Sequence, residues 1–254
     1  MDKRFWGAIA VIAVIFIGIV VVNNRNGSSS GNAALATEHY TGKNSQNVTL
    51  VEYGDYQCPV CASYYPVVKA IETKYADEIR FQFRNFPIQQ LHANAVAGAR
   101  AAEAADKQGK FWEMHDKLYQ NQDPSGQQGW VVSSNPLDQY FTGYATDLKL
   151  NIDQFKKDYA SEAINDIINA DQAAGKKLGV SGTPTFFLEG KQIELKDLTD
   201  ESTGRPSEQK FSQFIDKAIK EKGGTSKVDP NQPATTENTG TGATPAEPAP
   251  AAGQ

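Results

Sequence analysis

The chain has 254 residues, with 25 lysines and arginines against 30 aspartates and glutamates, a formal net charge of -5 and a pI near 5.3. An acidic chain of this balance has no electrostatic footprint for a phosphate backbone, which excludes nucleic acid as a partner. The length is ample for one core with an embedded subdomain, and Cys58 and Cys61 are its two cysteines.

Residues 1–4 read Met-Asp-Lys-Arg, and residues 5–22 are then an unbroken run of eighteen apolar or glycine residues. About 20 such residues match the hydrocarbon core of a bilayer, whereas the apolar part of a cleavable signal is about 7 to 15. The run predicts an uncleaved transmembrane anchor in contact with the lipid bilayer, with cleavage near Ala34-Leu35-Ala36 as the alternative. Lys3 and Arg4 precede the run and Arg25 follows it, so residues 1–4 are expected in the cytoplasm and the remainder outside. Residues 23–36, rich in Asn, Gly, Ser and Ala, read as a flexible linker. Residues 223–254, rich in Pro, Thr, Ala and Gly without an aromatic residue, read as a disordered tail. The folded part is expected over 37–222.

Within it, 48–53 predicts a strand, Gly54-Asp55 a turn, and the segment after the cysteines an amphipathic helix on Val60, Tyr64, Val67, Val68, Ile71 and Tyr75, kinked at Pro66. Residues 79–83 alternate as a second strand, ended by Pro87. A mostly helical insertion follows over about 90–177, broken at Asp123-Pro124-Ser125-Gly126 and Ser133-Ser134-Asn135-Pro136, with Asn151 and Gln154 spaced as a capping box. Residues 183–188 predict a strand opened by Pro184, 191–195 its hairpin partner, and Phe211, Phe214, Ile215, Ala218 and Ile219 a final helix. The order predicts an α/β layered fold with a helical insertion.

The sequence Cys58-Pro59-Val60-Cys61, placed between a strand and a helix start, is a redox couple in its chemistry. A thiolate there meets unpaired N-H groups and the positive end of the helix dipole, which lowers the pKa of the first cysteine. A C-x-x-C pair is also half of a tetrahedral zinc site, but His39, His92 and His115 are scattered and do not complete one. A purely structural disulfide would close a two-residue loop, where loop-entropy stabilisation is smallest. A soft-metal site for Cu(I) is a further alternative, without a neighbouring methionine or histidine to support it.

Four stretches then occur in order: Val51-Glu52-Tyr53-Gly54-Asp55-Tyr56-Gln57-Cys58-Pro59-Val60-Cys61, Arg84-Asn85-Phe86-Pro87, Gln108-Gly109-Lys110-Phe111-Trp112, and Gly179-Val180-Ser181-Gly182-Thr183-Pro184-Thr185-Phe186. On these the chain resembles the DsbA-like branch of the thioredoxin superfamily from about Val48 to Lys222. The resemblance implies a thioredoxin fold interrupted by a helical domain, and thiol-disulfide exchange with protein substrates. It makes Cys58 the nucleophile, Cys61 the buried resolving cysteine and Pro184 a cis proline beside them. Thr183, Pro59 and Val60 would face the substrate. Glu52 falls where relatives carry a buried acid, which desolvation would suit to accept a proton from Cys61.

No cofactor is implied beyond the Cys58–Cys61 disulfide. The implied partners are exported cysteine-containing proteins and a membrane redox protein that regenerates the disulfide, on the extracytoplasmic side of the membrane. The strongly oxidising relatives carry a histidine where Val60 stands, and reducing and isomerising relatives also carry a threonine before the cis proline. These departures moderate the expected oxidising power; oxidase is still the favoured direction, with reductase or isomerase the alternative. Phe111 and Trp112 read as core, and His92 and His115 as structural histidines without a role.

Overall fold

The computed structural model describes residues 36–229. The anchor at 5–22, the preceding residues 1–4, all but the last residue of the 23–36 linker and the tail from residue 230 lie outside the described residues. The chain forms β1 (His39–Thr41) and β2 (Val48–Gly54), then α1 (Pro59–Lys74) and β3 (Ile79–Asn85). The helices α2 (Ala95–Asp106), α3 (Phe111–Gln120), α4 (Thr142–Asp147), α5 (Ile152–Tyr159) and α6 (Glu162–Lys177) follow. The chain then returns through β4 (Thr185–Leu188) and β5 (Lys191–Ile193) to α7 (Glu208–Glu221).

The strands form one sheet in the order β1-β3-β2-β4-β5. β2 runs parallel to β3 and antiparallel to β4, so α1 is the crossover of a βαβ unit and β4-β5 is a hairpin. In β2, Val48, Leu50 and Glu52 share one buried face by the two-residue period of a strand. α1 answers with Cys61, Tyr64, Val68 and Ile71, the three- and four-residue spacing of a helix stripe. α7 buries Phe211, Ile215 and Ile219 against α1, β2 and β4. This α/β layer with its helical insertion after β3 matches the sequence expectation.

Several boundaries differ from that expectation for local reasons. β1 has only three residues, His39-Tyr40-Thr41, and pairs with β3 without any apolar alternation to announce it. α1 is continuous across Pro66. The stretch after Asn151 divides into α5 and α6 because Ser161 caps a second helix, its hydroxyl accepting from the Ile164 N-H. Asn151 accepts from the Gln154 N-H at 2.9 Å, but the Gln154 side chain turns to Asp158 instead of closing the capping box.

Two buried carboxylates fasten the ends of the described chain. Asp171 on α6 accepts from the Thr37 N-H at 2.6 Å, the Thr37 hydroxyl at 2.7 Å and the Asn85 N-H at 2.9 Å. Glu78 accepts from the Ser226 hydroxyl at 2.7 Å and the Lys227 N-H at 2.6 Å. Residues 223–229, assigned to the tail by composition, are therefore bonded to the domain, with Val228 packed on its core. Composition missed this because the fastening uses backbone and hydroxyl groups rather than apolar bulk.

Candidate active site

β2 ends at Gly54, and the turn Asp55-Tyr56-Gln57 delivers Cys58 to the N-cap of α1 with φ -68 and ψ 121. Pro59 occupies the first helical position, where its fixed φ suits the helix and its missing N-H costs no bond. Cys58 and Cys61 are both free and both buried. The thiol of Cys61 donates to the Cys58 sulfur. Against the opposing effect of burial, that bond, with the Cys61 and Val60 N-H groups and the Thr183 hydroxyl, lowers the Cys58 pKa to about 6. Cys61 has no exposed surface, and burial pushes its pKa well above that of an ordinary thiol. The two cysteines are thus opposite in character, one a thiolate near neutral pH and the other a thiol.

The Thr183-Pro184 peptide bond is cis. The Cys58 sulfur lies 3.4 Å from the Thr183 carbonyl oxygen, and the buried Thr183 hydroxyl has no hydrogen-bond partner in the protein, which leaves it free to donate to a Cys58 thiolate. Pro184 is buried, whereas Pro59 and Val60 are exposed beside Cys58, Val60 by 44%. Glu52 lies on the core face of the central strand, opposite Phe83 on β3 and Phe186 on β4. It is 3% exposed. Desolvation, with a smaller contribution from the Cys58 charge, raises its pKa to about 8. The buried Cys61 thiol is raised in part by Glu52, so these two groups act on each other.

Side chains from the helical insertion and the loop before it hold the turn, and the sequence reading gave none of them a role. Asp55 is 1% exposed. It accepts from the Gln57 N-H, the Ile88 N-H and His92 Nδ1, each at 2.8 Å. The Gln57 side chain accepts from the Asn94 N-H at 2.6 Å and donates to the Val131 carbonyl at 2.8 Å. Gln122 donates to the carbonyls of Tyr56 at 2.7 Å and Cys58 at 3.1 Å. Asp55 and Gln57 sit inside the Gly54-Asp55-Tyr56-Gln57 stretch quoted above, which was the available signal. Gln122 and His92 are far away in sequence and carried no local signal.

Phe111 is buried and Trp112 packs on the core. His115 is also buried, with Nδ1 bonded to Asp116. Among the described residues no third metal-ligating side chain joins the two cysteines. The cluster with ligand spacing is His39, Glu103 and Asp106, where His39 already contacts both carboxylates, at 2.9 and 3.5 Å.

The chain matches a thioredoxin family model over residues 34–219. It is 31% identical over 189 residues to the probable disulfide bond formation protein D of Bacillus cereus, covering 72% of this chain and 85% of that protein. It is 37% identical over 155 residues to the Na(+)/H(+) antiporter NhaA 1 of Salinispora arenicola, spanning 61% of this chain but only 22% of the antiporter's length. Among solved structures, BdbD from Bacillus subtilis superposes with a TM-score of 0.58 at 22% identity, over 75% of this chain and all of that one, which is a likeness of fold.

Proposed function

This chain belongs to the thioredoxin family and is a thiol-disulfide oxidoreductase of the DsbA type, and we propose that it works as an oxidase that inserts disulfides into exported cysteine-containing proteins through Cys58 and Cys61. The observation that carries the direction is the asymmetry of the pair. A Cys58 pKa of about 6 stabilises the reduced form, and a couple with a stabilised reduced form is an oxidant.

In the forward reaction a client thiolate attacks the Cys58 sulfur of the oxidised pair. The Cys58–Cys61 bond breaks, Cys61 leaves with the electron pair, and Glu52, protonated up to about pH 8, is the group at hand to give it a proton. A second client thiolate attacks the client sulfur of the mixed disulfide and displaces Cys58 as a thiolate. Two electrons have then passed from the client dithiol to the pair, and a membrane redox partner takes them to restore the disulfide. The cis Thr183-Pro184 loop, with Pro59 and Val60, forms the surface against which the client chain lies.

The domain works outside the cytoplasm, tethered by residues 5–22. Among the described residues no helix is long and apolar enough to cross a membrane, so the tether rests on the apolar run alone. Retention in the membrane fraction through a high-salt wash, with the N-terminal residues intact by mass spectrometry, tests it.

The Val60 side chain offers neither charge nor hydrogen bond, which moderates the oxidising power. The reduction potential should fall between about -270 mV, that of thioredoxin, and about -120 mV, that of a strong oxidant. The pre-oxidised protein should transfer its disulfide rapidly to a reduced unfolded client. A potential at or below about -270 mV, with the pair reduced in its native compartment, moves the reading to reductase.

A further inference from the structure

Buried Asp55 and partly buried His92 form a pair that the exchange reaction above does not use. The Asp55 carbonyl accepts the Cys58 N-H at 3.0 Å, so this carboxylate belongs to the same turn as the nucleophile. Of its three hydrogen-bond donors, the Gln57 and Ile88 N-H groups are neutral main chain, and His92 is the one that can carry a charge. A buried carboxylate so close to Cys58 opposes a second negative charge on the sulfur unless a cation balances it.

His92 is in position to do so. Its side chain is 17% exposed, so water screens it only partly. The bond to Asp55 raises its pKa, and the negative charge on Cys58 raises it further. Cys61 and Glu52, the other titratable groups coupled to Cys58, are kept in their neutral forms by burial. Val60 brings no charge. Beside the Cys61, Val60 and Thr183 groups that lower the Cys58 pKa, His92 is the cation whose charge interacts with that of Cys58.

We propose that His92, held by Asp55, is a positioning cation of the active site: its imidazolium balances the Asp55 carboxylate and stabilises the Cys58 thiolate, the charge that Val60 cannot supply. This rests on Cys58 being the attacking thiolate. By linkage, the thiolate raises the His92 pKa by as much as His92 lowers that of Cys58. Oxidation to the disulfide removes the thiolate and with it that part of the rise in the His92 pKa, while the bond to Asp55 remains.

The test uses the full chain in detergent and follows its three histidines by NMR titration, in the reduced and the oxidised protein. His92 should titrate at higher pH in the reduced state, by about half a unit or more, a factor of about three in its protonation equilibrium. An identical His92 pKa in the two states overturns the proposal without any substitution. His92→Gln keeps a donor for Asp55 but removes the charge, so it should raise the Cys58 pKa measured by thiolate absorbance and slow alkylation of the reduced protein at pH 6. His92→Lys should restore both. An unchanged Cys58 pKa in a folded His92→Gln protein also overturns the proposal while leaving the thiolate reading intact. An ordinary thiol pKa for Cys58 in the unsubstituted protein would overturn both readings together.

Discussion

The sulfur of Cys58 lies 3.4 Å from the carbonyl oxygen of Thr183, across 125 residues of sequence. The nucleophile and the loop that would receive a client are therefore a single surface. The Thr183 hydroxyl also lowers the Cys58 pKa. Thr183→Val keeps the shape and removes the donor, and a hydrogen bond to a charged group contributes about 1.5 kcal/mol. The Cys58 pKa should rise by about one unit in an absorbance titration at 240 nm; no rise would mean that the hydroxyl does not reach the thiolate.

Cys61 has no exposed surface, and its pKa is pushed well up by burial. It is suited to resolve a mixed disulfide from inside rather than to attack a client. Cys61→Ser should accumulate mixed disulfides with clients on non-reducing gels, and Cys58→Ser should form none. The reverse pattern would exchange the two roles.

Glu52 carries a cost that depends on pH. Its carboxyl ionises near 4.5 when unfolded and at about 8 when folded. Between those values the folded state holds the proton that the unfolded state has lost, so stability falls as pH rises from about 4.5 to about 8. Glu52→Gln should be more stable than the parent at pH 8, by about 2 to 4 kcal/mol, and the gain should vanish near pH 4. In stopped-flow exchange the same substitution should slow the step that breaks or forms the bond to Cys61 more than the step at Cys58. Equal slowing of both would make Glu52 structural only.

Gly175 sits inside α6, where alanine is ordinarily favoured over glycine by about 1 kcal/mol. Here a Cβ would lie 2.9 Å from ring atoms of both Phe86 and Tyr53. Gly175→Ala should therefore destabilise, by about 1 to 3 kcal/mol in denaturant unfolding, as overpacking does. A more stable variant would show that the two rings can move aside at little cost.

The sheet and the cysteine pair were legible because their signals are local. β2 alternates, α1 keeps a three- and four-residue stripe, and Pro59 follows a helix-capping cysteine. Glu52 could be singled out because the resemblance puts a buried acid at its position, and its 3% exposure agrees with that reading. β1 was not legible, since three residues of mixed polarity carry no period. Nor were the contacts of Gln122, Gln57 and His92 with the active-site turn. Each joins polar groups between 37 and 74 residues apart, and such amide and imidazole side chains look the same in a sequence whether they face water or a backbone carbonyl. His92, read as a structural histidine, is indeed bonded, but to Asp55 37 residues upstream, a partner no local pattern announces.

The grips of Asp171 on Thr37 and of Glu78 on Ser226 and Lys227 concern a domain joined to further chain at both ends. A pull on the leading segment reaches α6 and the end of β3 through Asp171, and a pull on the trailing segment reaches the loop before β3 through Glu78. Neither load passes directly into the Cys58 turn. Each grip closes with short charge-assisted bonds, so it resists a tug while the active-site turn keeps its geometry. Strain arriving at either end of the described domain is thereby taken up at a buried carboxylate remote from the cysteines.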